Sequence, residues 1–465
     1  MGAPPSAQEI YYERFWNKIE VCTKYDVSSF MRDYLSIKTS SIPPKRKVYA
    51  AFKEFMRTND MTLEAMLEDM LEYARRYEVL IGGDIDNKTL QSCIYRLNRL
   101  ETTVTRPFFM EVLRLREEGK LTDLEINKIF LMSESYIFRR TMCDLPTNAL
   151  NKIFASLHKE IIRYELNDDD YLNKFAYCLI SKRGTQRFPD DDEFYVSFSD
   201  KHVYNMNAKN KIYILERFEN AGTKEDKDVY RHFDEGDYSI EHIMPQTLST
   251  DWKAALGVNY EEVHTNWCDR IANLTLTAYN SKYSNRSFNE KKHMDNGFLQ
   301  SGIRLNVLIS QNDEWTEKEL SQRDNVLMKN ALQIWEFPRT TFSPIEKQIE
   351  SATLNEDADE FARKKIVKFS FQGAETQASS WKEMFVDVLQ SLFSKDKTHI
   401  VKLSASTTME YSNYFNYGVG TFRAPVEIGD GLYVETNSNT EKKLEVLKYL
   451  FKFHEIEPEE LSFYF

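Results

Sequence analysis

The sequence has few cysteines, and their positions exclude two common kinds of site. Five cysteines are scattered over 465 residues, and no two of them form a Cys-x-x-Cys pair. Zinc sites built from paired thiolates and disulfide frameworks both need cysteines at close, regular spacings. We therefore predict neither, and we expect free thiols in a reducing cytoplasm.

Long apolar runs are also missing. No stretch approaches the ~18 consecutive apolar residues that a membrane-spanning helix needs. The first six residues, Met1–Ser6, lack the basic stretch and apolar core of a secretory signal. These absences predict a cytoplasmic location and no membrane partner.

Positive charge is in deficit, since the formal net charge is −12. Such a chain is not expected to coat nucleic acid non-specifically, but a nuclease needs only a local basic surface. The 42% of hydrophobic and 29% of charged residues are typical of a soluble globular protein. The length predicts two or three domains.

Helical patterns dominate the first part of the chain. Apolar residues recur at helical spacing in one segment: Leu63, Met66, Leu67, Met70, Leu71 and Ala74. Thr122 and Glu125 form a capping-box pattern at the start of another helix. We therefore predict a helical scaffold domain over residues 1–190.

A small α/β module is predicted at the other end, over residues 363–465. Ile366–Phe371 alternates as a strand should, and 381–393 has the apolar stripe of an amphipathic helix. Residues 346–362, rich in Glu, Asp, Ser and Ala, are predicted to be a linker. The fold class expected for the whole chain is α+β and mainly helical.

The central region, 191–345, contains the segment that predicts chemistry. Glu241 and His242 lie at the end of a predicted short strand, which Pro245 should terminate. Ile271–Thr277 predicts a second short strand, and a polar, basic stretch from Asn280 to Lys292 follows.

These residue types suit phosphodiester hydrolysis. The reaction needs a base for water, a cation at the scissile phosphate and donors that hold the backbone. A neutral imidazole can take the proton, while carboxylate and amide oxygens can hold Mg²⁺. Basic side chains can bind flanking phosphates.

The pattern Glu-His-Ile-Met-Pro followed by Asn-Leu-Thr-Leu resembles the His-Me finger (HNH) nucleases, whose site is a β-hairpin followed by a helix (ββα-Me). The resemblance implies that His242 is the general base and that Asn273 fixes its orientation. It implies Glu241 as one ligand of Mg²⁺ or Mn²⁺, with an Asn from the helix as the second. Asn280 is the first choice for that ligand and Asn285 the second, because the spacing matches neither cleanly. Glu also stands where the family more often has Asp.

Four basic residues after the second strand are predicted to contact phosphate: Lys282, Arg286, Lys291 and Lys292. The alternative is that they form an ordinary solvated helix face. The asparagines could equally serve in capping and turns, and His242 with Glu241 could be a plain structural pair.

The wider context, roughly from residue 10 to 340, resembles the C-terminal part of GmrSD-type modification-dependent restriction enzymes. Arg187-Phe188-Pro189-Asp190 and Phe15-Trp16 contribute to the resemblance. It implies cleavage of double-stranded, modified phage DNA in bacterial defence. A ParB-like nucleotide-hydrolysing domain with an Asp-Gly-Gln-Gln-Arg signature normally precedes these helices, and that signature is missing. We therefore expect either the C-terminal portion of a longer protein or a chain that works without that domain.

Two other functions fit the sequence. One is a DNA- or partner-binding subunit that kept the fold and lost turnover. The other is a nuclease toxin or RNase. Metal-dependent plasmid nicking that needs His242 separates the first prediction from the binding subunit. A comparison of double-stranded DNA, single-stranded DNA and RNA as substrates separates it from the toxin or RNase.

Overall fold

The structure is a computed structural model that describes residues 5–39, 41–82, 84–100, 102–164, 171–344, 351–356, 358–362 and 364–465. The chain forms two compact units, Met1–Ser343 and Pro344–Phe465. Within the described residues, no helix is both long and apolar enough to cross a membrane.

The first unit is mainly helical. Its helices are α1 Pro5–Tyr11, α2 Asn17–Cys22, α3 Val27–Thr39, α4 Val48–Thr58, α5 Leu63–Leu80, α6 Lys88–Arg99, α7 Arg106–Glu117, α8 Asp123–Met142, α9 Asn148–Ile162, α10 Tyr171–Ile180, α11 Asp191–Ser199, α12 Ala208–Asn220, α13 Val229–Asp234, α14 Thr250–Leu256, α15 Tyr260–Trp267, α16 Asn280–Tyr283, α17 Phe288–His293, α18 Val307–Ser310 and α19 Glu317–Ile334. A π-helical segment, Tyr12–Trp16, joins α1 to α2. Short 3₁₀ turns occur at Lys45–Lys47, Gly184–Gln186, Val203–Asn205, Ile271–Asn273, Phe298–Gln300 and Arg304–Asn306.

Helix α8 links the two regions that the sequence separates at residue 190. It begins with the predicted capping box, in which Thr122 accepts from the Glu125 N–H and Glu125 accepts in return. Its first half packs into the helical core, to which Phe130 belongs. Near its end, Phe138 stacks on Trp335 with ring centroids 4.0 Å apart, inside the core that also surrounds the hairpin. A shared helix therefore makes residues 1–343 one compact unit.

Two short strands form the only sheet among the described residues of this unit. They are β1 Ser239–His242 and β2 Leu274–Thr277. They pair antiparallel, with Glu241 opposite Thr275 and His242 opposite Leu274. Both strands occur where the sequence predicts them, although Ile271–Asn273 turns as a 3₁₀ helix before β2 begins.

The second unit combines two sheets with helices. Its elements are β3 Ser351–Thr353, α20 Ala358–Phe361, β4 Lys368–Phe371, β5 Ala374–Gln377, α21 Trp381–Lys395, α22 Thr398–Ala405, β6 Phe415–Tyr417, β7 Pro425–Gly429, β8 Leu432–Glu435, α23 Thr440–His454 and β9 Leu461–Tyr464, with 3₁₀ turns at Ser412–Tyr414 and Pro458–Glu460. The strand orders are β3-β9-β4-β5 and β6-β8-β7. All pairings described here are antiparallel, so the helices and strands form an α+β module. The mainly helical α+β class predicted for the chain is confirmed.

The segment predicted as a linker is structured where it is described. Ser351–Thr353 pairs with the C-terminal strand β9, with Ser351 opposite Tyr464. Phe361 is 2% exposed and belongs to the core of the second unit. Because the segment is mostly polar, its composition did not indicate that any of its residues are buried. Within this segment, residues 346–350 and Asp357 lie outside the described residues.

Candidate active site

The hairpin β1–β2 positions the residues of the motif. Strand β1 ends at His242, as expected for a chain in which Pro245 follows closely. The Ile243 N–H still donates to the Asn273 carbonyl, at 3.0 Å, so the two chains stay together beyond the strand.

Asn273 holds the turn that follows His242. Its side chain is fully buried. The Oδ1 atom accepts from the Met244 N–H at 2.8 Å. The Nδ2 atom donates to the Met244 carbonyl at 2.8 Å and to the Cys268 carbonyl at 2.9 Å. A buried amide with satisfied donors and acceptor is a rigid connection, so Asn273 fixes the backbone on both sides of the site.

His242 is 8% exposed, between an aromatic ring and a carboxylate. The Tyr204 ring lies at 4.3 Å, centroid to centroid, at an angle of 66°. The imidazole Nε2 lies 3.3 Å from Oδ1 of Asp269. Burial lowers the pKa of the His242 imidazole, and Asp269 opposes that effect. A neutral imidazole is the form that can accept a proton.

Glu241 has a different partner. Its Oε1 lies 2.6 Å from Nζ of Lys291, and both side chains are buried. Lys291 also donates to the carbonyls of His242 and Ile243, at 2.9 and 3.1 Å. Burial raises the pKa of the Glu241 carboxyl to about 7, although Lys291 opposes this. Glu241 and His242 thus face different neighbours, as successive residues of a strand do.

The two asparagines expected to supply a ligand differ in position. Asn280, at the start of α16, is exposed and donates from Nδ2 to the Ile240 carbonyl at 3.1 Å. Its side chain therefore lies against the strand that carries Glu241. Asn285 is exposed in the connection between α16 and α17.

The four basic residues also separate into two kinds. Lys282 and Arg286 are exposed. Lys291 and Lys292 are buried, and Lys292 donates to the Asn312 carbonyl at 2.7 Å and to Asp313 at 2.9 Å. Helix α17 begins with a capping box at Ser287 and turns its inner face, with Phe288, toward the core. Positions three and four residues after Phe288 share that face, so Lys291 and Lys292 bind protein oxygens instead of a surface phosphate.

Sequence reasoning missed the side chains that contact the imidazole. Asp269 precedes β2 by five positions, and Tyr204 lies in the turn Val203–Asn205 before α12. Neither belongs to a motif, and Tyr204 is 38 positions from His242 along the chain. Only the folded chain brings them together.

Among the described residues, one set of possible ligands for a cation comes together at the motif. His242, Cys268 and Asp269 have potential ligand atoms within 4.8 Å of one another. Burial raises the pKa of the Cys268 thiol to about 12, so the thiol is protonated while no cation is bound. Glu241 and Asn280 offer oxygen atoms, which Mg²⁺ prefers. Glu241 is a buried carboxylate whose raised pKa shows that Lys291, 2.6 Å away, offsets its burial only in part.

The site lies within a region that matches a known family. Residues 188–330 match the family model described as the C-terminal domain of GmrSD restriction endonucleases. This region is therefore similar to a GmrSD-type C-terminal domain. It contains the hairpin, α16, α17 and all the site residues described above. The matched family is one of restriction endonucleases. A comparison with curated proteins gives no significant match.

Proposed function

We propose that the protein is a metal-dependent DNA endonuclease of the His-Me finger type. The proposal rests on the hairpin in the region that matches the GmrSD-type domain. In this hairpin the Asn273 side chain forms hydrogen bonds with the backbone of the two segments that surround His242. A base held on a rigid strand end is an arrangement that hydrolysis of a phosphodiester needs.

In this proposal His242 accepts the proton of the attacking water. Its lowered pKa keeps the imidazole neutral and able to do so near neutral pH. Asn273 and Lys291 restrain the backbone of the strand end, since Lys291 donates to the His242 and Ile243 carbonyls. These contacts orient the base without touching the phosphate.

Glu241 and Asn280 would hold a divalent cation, Mg²⁺ or Mn²⁺, with Asn285 as the alternative second ligand. When bound, this ion supplies charge stabilisation at the phosphate and at the leaving oxygen. Lys291 would share the Glu241 carboxylate, which has two oxygen atoms and several acceptor positions. Asn280 supports this assignment because its amide already lies against strand β1.

The substrate that we propose is double-stranded DNA, in particular modified phage DNA, in bacterial restriction and anti-phage defence. Lys282 and Arg286 are exposed and can bind flanking phosphates. A ParB-like nucleotide-hydrolysing domain or subunit is the partner proposed by analogy with the family, and the cytoplasm is the location.

A plasmid-nicking assay tests the function. We expect cleavage with Mg²⁺ or Mn²⁺, none with EDTA, and a loss of about 10²- to 10⁴-fold in His242→Ala, which is the usual contribution of a general base. His293→Ala is the matched control, because His293 is exposed and bonds only its own helix among the described contacts. Cleavage that survives His242→Ala would show that the base is another group, and cleavage in EDTA would exclude the metal.

One observation favours a second candidate, a DNA-binding subunit without turnover. Lys291 forms an ion pair with the Glu241 carboxylate, and the Tyr204 ring packs against one side of His242. In this case a gel-shift assay would show DNA binding, while no divalent cation would support cutting. RNA and single-stranded DNA, tested beside the duplex, separate both candidates from a ribonuclease.

A further inference from the structure

The carboxylate of Asp269 lies within ion-pairing distance of the His242 imidazole and has no role in the proposed function. Oδ1 of Asp269 lies 3.3 Å from Nε2 of His242. This is slightly longer than an ideal N–H···O bond, as catalytic hydrogen bonds often are before the substrate binds. The Asp269 side chain is 24% exposed and that of His242 is 9% exposed, so water only partly screens their interaction.

Asp269 is itself held in place from both sides. Its Oδ2 accepts from Nδ2 of Asn205 at 3.1 Å. Its backbone carbonyl accepts from the Tyr204 N–H at 3.0 Å. The preceding carbonyl, of Cys268, accepts from Asn273. A carboxylate with so many restraints can hold a neighbouring ring in one orientation.

The turn Val203–Asn205 completes the enclosure of the imidazole. While Asn205 binds Asp269, the Tyr204 ring packs against the imidazole itself. Lys211, on the following helix α12, anchors the turn by donating from Nζ to the Tyr204 carbonyl at 2.8 Å. One short turn thus contacts both His242 and the carboxylate beside it.

We propose that Asp269 is the positioning residue of His242. Its carboxylate accepts a hydrogen bond from Nε2–H, which fixes the ring orientation and leaves the lone pair of Nδ1 free to take the proton of the attacking water. Asn205 holds the carboxylate for this purpose. The inference rests on the proposed function of His242 as general base, and it adds a residue that the His-Me finger pattern does not contain.

The geometry also defines the rival to this role. Asp269, His242 and Cys268 could instead bind a cation together. A ligand and a positioning residue differ in what their loss changes. A lost ligand weakens cation binding, whereas a lost positioning residue matters only while the imidazole is present.

A double-mutant cycle measures this difference in the nicking assay. We expect Asp269→Ala to slow cleavage about 10- to 100-fold in the wild-type background. In a His242→Ala background the same change should alter the residual rate less than about 2-fold. Asp269→Asn, which keeps an acceptor for Nε2–H, should recover much of the rate. Asp200→Ala is the matched control. Asp200 is exposed and pairs with Arg270, the residue that follows Asp269 in the sequence.

Two further measurements make the result independent of the fold and of nuclease activity. Mn²⁺ affinity, measured by calorimetry, should be the same in Asp269→Ala as in wild type. In protein labelled with ¹⁵N-histidine and freed of metal, the His242 Nε2–H proton should resonate downfield. This resonance is assigned by its loss in His242→Ala, and it should move upfield in Asp269→Ala but persist in Asp269→Asn.

Three outcomes would overturn the proposal. They are an equal loss of rate from Asp269→Ala in both backgrounds, a weakened Mn²⁺ affinity, and a proton resonance that does not respond to Asp269. A wild-type protein that cuts no DNA would overturn the proposed function instead. The proton resonance would then still decide whether Asp269 holds the imidazole.

Discussion

Two buried carboxylates of the first unit have opposite environments. Glu134, on α8, accepts from Nε and Nη2 of Arg96 at 2.8 and 3.0 Å and from the Tyr213 hydroxyl at 2.8 Å, with Arg217 3.6 Å away. Although burial opposes it, these partners lower the pKa of Glu134 to about 2. Glu241 has Lys291 as its cationic partner, and burial raises its pKa to about 7.

The difference separates a structural ion pair from a candidate binding site. Around Glu134 the negative charge is fully compensated by protein groups, and the network joins α6, α8 and α12. Around Glu241 the single cation Lys291 offsets burial only in part, which supports the proposal that this carboxylate holds a further cation. Perturbed carboxylates of this second kind are typical of functional sites.

The largest effect is expected from breaking the compensated network. Glu134→Gln leaves Arg96 buried without its charged partner, which typically costs about 3–5 kcal/mol. Urea denaturation should show this as a lower free energy of unfolding. Asp234→Asn is the control, because its pair with Arg99 is solvent-exposed and should contribute nothing measurable. A loss as small as that of the control would mean that Glu134 is not the centre of the network.

Acid should weaken the same network. The folded-state pKa of Glu134 lies below the ordinary value of 4.5, so its contribution to stability is present above pH 4.5 and is lost as pH falls toward 2. A pKa difference of this size corresponds to about 3 kcal/mol. Unfolding followed by circular dichroism between pH 2 and 5 measures it. In Glu134→Gln this part of the acid dependence should disappear, and its persistence would contradict the assignment.

The sequence was sufficient for features that depend on local pattern. The capping box of α8 and the hairpin strands before Pro245 and after Asn273 follow from short-range rules. The burial of Lys291 also had a local signal, since it lies three residues after the apolar Phe288 on one helix face.

Other features depend on which distant segments meet. Nothing near Asp269 or Tyr204 in the sequence indicates that they contact His242, because the folding of the turn before α12 decides this. Successive side chains of a strand point to opposite faces, so the sequence could have predicted that Glu241 and His242 have different partners. The motif instead drew both residues into one predicted site. Tertiary packing therefore limits the prediction of a site more than that of the elements that carry it.

The affinity for a divalent cation should depend on the Glu241 carboxylate. Glu241→Gln replaces a charged ligand by a neutral one, and the loss of about 1.5–3 kcal/mol corresponds to roughly 10- to 100-fold weaker Mn²⁺ binding. Calorimetry measures the affinity, and urea denaturation checks that the variant is folded, since Lys291 loses its charged partner. Unchanged Mn²⁺ affinity would remove Glu241 from the proposed ligand set and leave its pair with Lys291 as purely structural.

The smallest effect is expected for the basic side chains around the site. The exposed ones should contact DNA, and the buried ones should form only structural hydrogen bonds. Lys282→Ala and Arg286→Ala should each reduce the slope of log affinity against log salt by about 0.9, because each contact with a duplex phosphate releases about one counterion. Fluorescence anisotropy with His242→Ala protein and duplex DNA, in EDTA, measures binding without cleavage. Lys292→Met is the comparison, since Lys292 is buried against Asn312 and Asp313 and its loss should leave the slope unchanged. A reduced slope in Lys292→Met, with none in the two exposed variants, would mean that DNA approaches α17 from the side that the fold covers.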